Sequence, residues 1–150
     1  MKLKPLSAVD YLVVHCSATP AHMDVTAKDI KRWHRKRGFL DIGYHYVIRR
    51  DGTLEFGRDE SEPGAHVRGF NHRSLGICMI GGSTGGKRPK PEDNFEETQF
   101  NALAKLLGYL SRKYPDAEIK GHGEMPRVAK ACPSFDVELF KDEYGATIYE

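Results

Sequence analysis

At 150 residues, with 23 Lys+Arg against 21 Asp+Glu and a net charge of only +2, the chain suits a single domain with one real hydrophobic core. No strong field marks it as a nucleic-acid or acidic-membrane binder, so any partner has to be argued locally. Three cysteines, Cys16, Cys78 and Cys132, are too few and too odd for a disulfide framework and fit a reducing compartment.

The opening MKLKPLSAVDYLVVHC has two lysines, but no apolar run long enough for a signal core, and Pro5 interrupts it. No later run approaches the ~20 apolar residues of a membrane span. Cytoplasmic synthesis without a signal peptide or membrane insertion is therefore expected. Tyr11 to His15 is a continuous apolar run rich in β-branched residues, the pattern of a strand buried on both faces, with His15 at its carboxyl end. Thr26 and Asp29 form a capping pair for a helix that Gly38 closes, with Ile30, Trp33, His34 and Arg37 on its inner stripe.

Tyr44 to Arg50 and Thr53 to Gly57 read as a hairpin around Asp51-Gly52. Leu75 to Ile80 is a second buried strand, and residues 81–94 form a polar loop rich in Gly. Phe100, Leu103, Ala104, Leu107 and Leu110 recur at helical spacing, so a helix over about 96–113 ends before Pro115. A short strand, Glu118 to Lys120, leads into His122, and a last helix spans Asp136 to Tyr144. Strands alternating with helices without a repeat predict an α/β fold, a central mixed sheet flanked by helices.

Three residues form a candidate metal set: His15 and His122 at two strand ends, and Cys132 in the stretch GHGEMPRVAKACPSFD (121–136). Catalytic zinc takes three such protein ligands and keeps a fourth position for water. Taken singly, each also suits a plain structural role, a strand-end His bonded to backbone or a Cys buried as a small apolar side chain. Cys16 is a rival ligand, but neighbouring strand side chains point to opposite faces, so only one of His15 and Cys16 should face the site.

Other motifs match less well. Glu124 after His122 gives the H-x-E of nucleobase deaminases, yet Cys132 lacks the second cysteine that chemistry needs. Residues 81–87, GGSTGGK, fit a phosphate loop but run on into Arg88, Pro89 and Pro91 instead of a Ser or Thr and a helix, which favours a surface loop. Lys28, Lys31, Arg32, Arg35, Lys36 and Arg37 crowd the first helix; a solvated face and an anion-attracting patch are both open, with Trp33 as core.

Four blocks, VVHCSATP (13–20), KRWHRKRGFLDIGYHYVIRRDGTLEFGRDE (31–60), GFNHRSLGICMIGG (69–82) and AKACPSFD (129–136), together closely resemble the zinc N-acetylmuramoyl-L-alanine amidases of the type-2 family, to which peptidoglycan-recognition proteins are more distantly related. The resemblance runs over residues 9 to about 142 and implies one amidase domain with a zinc ion in a surface cleft. It implies hydrolysis of the amide between N-acetylmuramic acid and the first L-alanine of the stem peptide. Position by position it implies zinc ligands His15, His122 and Cys132 and catalytic residues Tyr44 and Lys130. The segment from His122 to Lys130 is two residues longer than in the phage member it most resembles, with Gly123 where a second histidine often stands.

In that reading zinc yields a hydroxide-like nucleophile, Tyr44 and Lys130 steady the oxyanion, and Glu124 is at most a residue that orients a ligand. His45, His66 and Asn71 are candidate walls of the substrate groove. A phage or prophage endolysin, monomeric and acting on the wall after release, reconciles an external substrate with the absence of an export signal. The alternatives are a cytoplasmic recycling amidase, a muropeptide-binding module without activity, which Cys132 argues against, and a regulatory binder of a polymerase that uses the basic helix. No nucleic-acid partner is expected.

Overall fold

Five strands hydrogen-bond in the order β3-β2-β4-β1-β5 to form one mixed sheet, in which only β3 runs antiparallel to its neighbour. The structure is a computed structural model describing residues 8–128 and 130–150; residues 1–7, on which part of the leader reading rests, and Ala129 of the last block lie outside the described residues. The chain runs through β1 (Tyr11–Cys16), α1 (Ala27–Lys36), β2 (Tyr46–Ile48), β3 (Leu54–Phe56), β4 (Ser74–Met79), α2 (Glu97–Lys113), β5 (Glu118–Gly121), α3 (Val137–Glu143) and α4 (Gly145–Tyr149). Single 3-10 turns, Asn71–Arg73 and His122–Glu124, precede β4 and follow β5. The expected α/β architecture of a mixed sheet flanked by helices is present.

Side-chain parity divides the sheet. Leu12, Val14, Ile48, Leu75, Ile77, Met79 and Ile119 point to one face, where they pack with Leu103, Leu107, Leu110, Val137, Phe140 and Ile148 of the carboxyl-terminal helices. Val13, Val47, Gly76, Cys78 and His15 belong to the other parity, covered by α1 and the loops between β3 and β4.

Most elements form for the anticipated reasons. Thr26 and Asp29 make the reciprocal capping box of α1, and Gly38, at φ +94, receives the chain as it leaves that helix. Asp136 caps α3 by accepting from Leu139 N–H. All three cysteines are free.

Three expectations change. The strand expected over Tyr44–Arg50 pairs regularly only at Tyr46–Ile48, because the Tyr44 and His45 carbonyls take the N–H groups of Arg58 and Gly57 at the start of the returning loop. Arg37 is exposed at the end of α1, not on its inner stripe. A further helix, α4, follows α3; its Ile148 is buried, and Gly108 of α2 lets the Thr147 carbonyl come close, since a Cβ there would lie 2.9 Å from that oxygen. The GGSTGGK segment is a loop closed on itself by Thr84 and Lys90, and α2 starts only at Glu97, so no helix end faces a phosphate there.

No helix among the described residues is long and apolar enough to cross a membrane.

Candidate metal centre and cleft

Sheet register alone brings the two histidines together. Val14 of β1 and Gly121 of β5 are parallel partners, so the residues that follow, His15 and His122, emerge side by side with ring centroids 4.4 Å apart. The turn holding His122 is stapled by Glu124, whose carboxylate accepts the Gly121 N–H at 2.8 Å. Glu124 thus acts on the turn through the Gly121 backbone.

The Cys132 loop folds back over this corner. Gly123 N–H donates to the Cys132 carbonyl at 2.9 Å, and a Cβ at residue 123 would stand 2.2 Å from the Lys130 carbonyl oxygen. A histidine therefore has no room at this position, and glycine follows from the close approach of the returning loop. The backbone N–H of Cys16 donates to Cys132 Sγ at 3.2 Å, and the Cys16 thiol, 3.8 Å from Ser134 Oγ, lies beside that sulfur at the cleft. His15 and Cys16 thus both border the site, although only His15 joins the His122 and Cys132 donor atoms.

One ligand atom each of His15, His122 and Cys132 lies within 4.8 Å of the others. Bonds of 2.0–2.3 Å in a tetrahedron would set these atoms ~3.5 Å apart, so side-chain adjustments of about 1 Å suffice. The donor set also has suitable chemistry. Burial, then the neighbouring His66, His122 and Lys130, holds His15 well below the usual imidazole range, and burial with Lys130 lowers His122, so both offer neutral nitrogens. The hydrogen bond from Cys132 lowers Cys16 to about 7, while Cys16 and burial push Cys132 up. A cation against Cys132 would draw the shared negative charge onto that sulfur, where the Cys16 N–H already points. These residues could hold a divalent ion with two neutral nitrogens and one thiolate.

Tyr44 stands beside this group, its ring 5.1 Å from that of His15. Burial, followed by the thiols of Cys78, Cys132 and Cys16, raises its pKa well above the ordinary phenol value, so the hydroxyl stays protonated as a donor. Its loop is held from two sides. His34 Nδ1 accepts the Gly43 N–H at 2.8 Å, and the buried Arg58 guanidinium donates to the carbonyls of Ile42, Pro63 and Asp41 at 2.9, 2.8 and 3.3 Å. Lys130 is exposed at the rim. The candidate donors, Tyr44, His34 and Lys130 line a cleft of about 680 Å³ that also takes in Arg37, Phe39, Arg68 and Asn71.

The three candidates for groove walls fare differently. His45 is buried, with its two ring nitrogens bonded to the Glu62 carbonyl and the Gly76 N–H, and so lies beneath the cleft. Asn71 reaches the cleft, but its Oδ1 is engaged by the backbone N–H groups of His66 and Val67, both at 2.9 Å. His66 lines the cleft and touches His15 directly, Nδ1 to Nε2 at 2.8 Å.

Sequence reasoning missed Arg58 and Ser74. Arg58 sits in the acidic stretch GRDESE, which reads as solvated, and its burial depends on the Pro63 carbonyl of its own loop and on the Asp41 and Ile42 carbonyls of the loop before β2. The basic face of α1 is largely solvated: Lys31 pairs with Asp41 and Arg32 with Asp29, and Trp33 packs against the core with Val25 and Ile30.

The sequence pattern described as N-acetylmuramoyl-L-alanine amidase matches residues 5–135. An endolysin of Enterobacteria phage K11 is 48% identical over 125 residues, covering 83% of this chain and 80% of its own. Among solved structures, the N-acetylmuramoyl-L-alanine amidase LysC from Clostridium intestinale superimposes with a TM-score of 0.76 at 27% identity over 97% of this chain and 95% of its own. Drosophila PGRP-LB does so with a TM-score of 0.70 at 26% identity over 88% and 79%. A match of this extent, on a chain whose strand register gathers two histidines and a cysteine at one cleft, establishes that the protein belongs to the N-acetylmuramoyl-L-alanine amidase family.

Proposed function

We propose that this amidase is a zinc-dependent endolysin that cuts the bond between N-acetylmuramic acid and L-alanine in peptidoglycan, with His15, His122 and Cys132 holding the ion. The convergence of those three donor atoms at the end of the sheet supports this reading more than any other observation. Zinc in such a set acidifies a water toward neutrality and polarises a carbonyl. Tyr44, protonated beside His15, donates to the oxygen of the attacked lactyl carbonyl as negative charge develops there. Lys130 brings an ammonium to the rim of the same cleft and neutralises that charge. One of these two groups returns a proton to the departing L-alanine nitrogen.

The cleft is open, as a glycan strand with its stem peptides requires, and three cations, Arg37, Arg68 and Lys130, line it. The protein acts on the wall after release and works as a monomer.

The test is incubation of the purified protein with sacculi, with and without chelator, together with a metal assay and identification of the cut bond. About one zinc per chain, release of peptides with a free L-alanine amino group and suppression by chelator are expected. Full activity in metal-stripped protein, or cleavage at another bond, overturns the proposal.

A further inference from the structure

His66, expected as a wall of the substrate groove, lines the cleft but turns both ring nitrogens to partners within the protein, His15 and Ser74. We propose that His66 is a positioning residue that, through Ser74 and the Phe70 carbonyl, fixes the tautomer of His15 and leaves Nδ1 as the nitrogen His15 offers to a metal. The inference rests on the metal reading above and deepens it.

Proton directions follow from the chain of contacts. The Phe70 carbonyl can only accept, so Ser74 Oγ, 2.8 Å away, gives it the hydroxyl proton. Ser74 Oγ then accepts from His66 Nε2 at 3.2 Å, which places the His66 proton on Nε2. A second proton on His66 would set a charge directly against the buried His15, which burial disfavours, so His66 Nδ1 keeps a lone pair. That lone pair faces His15 Nε2 at 2.8 Å and can only be met by an N–H. His15 is thereby the Nε2–H tautomer, with its Nδ1 lone pair unprotonated. Reversing any link would set two lone pairs or two protons against each other.

The seat of His66 is equally defined. A Cβ at Gly76 would lie 2.6 Å from His66 Cγ, and one at Gly64 would lie 2.6 Å from His66 Cδ2, so two glycines clear the ring's place. Asn71 Oδ1 holds the backbone at residues 66 and 67. His45, whose ring lies 5.9 Å away, cannot substitute, because both of its nitrogens are engaged elsewhere. Ligating histidines commonly donate their second N–H to such an outer partner, which orients the ring and raises its basicity. Here the partner is itself an imidazole, oriented in turn by a serine.

Nitrogen NMR of the metal-free wild type reads the tautomer directly: His15 should carry its proton on Nε2 and His66 on Nε2. Zinc affinity, from competition with a chromophoric chelator, should fall about 10–100-fold in His66→Leu, the usual scale for loss of an outer partner. In His66→Gln, whose side-chain carbonyl can accept from His15 while its amide donates to Ser74, affinity should stay within about threefold of wild type. A His15 proton on Nδ1, or equal losses in the Leu and Gln variants, overturns the inference. If the wild type binds no zinc, the metal reading falls instead, and the tautomer still decides the relay, with no variant needing to fold.

Discussion

The two faces of the sheet are built from the same strands and from opposite parities of side chain, and they are made of different material. One face carries a continuous apolar cluster from Leu12 and Val14 to Leu107, Phe140 and Ile148. The other carries two small apolar clusters, around Val47 and Cys78 and around Val13 and Val67, with the buried polar groups His15, His34, His45 and Arg58 between and beside them. Burying apolar area is stabilising without direction, whereas each buried polar group needs a partner placed for it. The first face therefore supplies most of the folding energy, and the second spends structure on fixing where atoms point.

Substitutions should separate these roles. The largest effect is expected from Cys132→Ser, which should abolish metal binding and essentially all release of stem peptides while leaving the melting temperature of the metal-free protein close to that of the wild type; a variant that still cuts sacculi at the normal rate would remove Cys132 from the ligand set. On the opposite face, Leu107→Ala, at a fully buried position, should cost about 2–5 kcal/mol in denaturant unfolding and leave the activity per folded molecule unchanged. Equal losses of both properties in both variants would erase the division between the faces.

Tyr44→Phe should keep the metal and lose turnover by about 3 kcal/mol, the scale of one donor to a developing oxyanion, as read from peptide release at saturating substrate. Unchanged turnover would take the hydroxyl out of the reaction.

Acid should also act through the polar face. His15, His34, His45 and His66 are all held below the ordinary imidazole value of about 6.5, with burial the first cause in each case. The folded state then binds fewer protons than the unfolded chain, so the stability these groups contribute is present above about pH 6.5 and declines as pH falls below it. Each contributes at most about 1.4 kcal/mol per pH unit until its folded form titrates. Urea unfolding of metal-free protein between pH 7.5 and 5, at about half-unit steps, measures the slope; a flat profile would mean that these rings gain protons as readily folded as unfolded. The smallest effect is expected at α1, where Thr26→Ala should cost about 1 kcal/mol by removing the cap.

How far the site was legible depended on the distance over which each residue is specified. His15 and His122 could be placed at strand ends because apolar runs mark strands locally, and Cys132 is flagged by the run CPSFD that follows it. His45 and Asn71 carried no such mark. Their loop looked like a groove wall, yet the Gly76 N–H and the backbone at residues 66 and 67 claim their polar atoms. The shortened β2 and the extra helix α4 were hidden in the same way, since the first depends on Arg58 and Gly57 drawing off carbonyls and the second on a glycine in α2.

The amino-acid order by itself determined most of the helices and strands, the alternation that makes a mixed sheet and the chemical types gathered near its carboxyl edge, because caps, turns and periodicity act over a few residues. Only the tertiary structure decided that Val14 stands opposite Gly121, so that two histidines 107 positions apart share one corner, and that His66 rather than His45 touches His15. Register and hydrogen-bond direction are properties of pairs of distant segments, and they are settled when those segments meet.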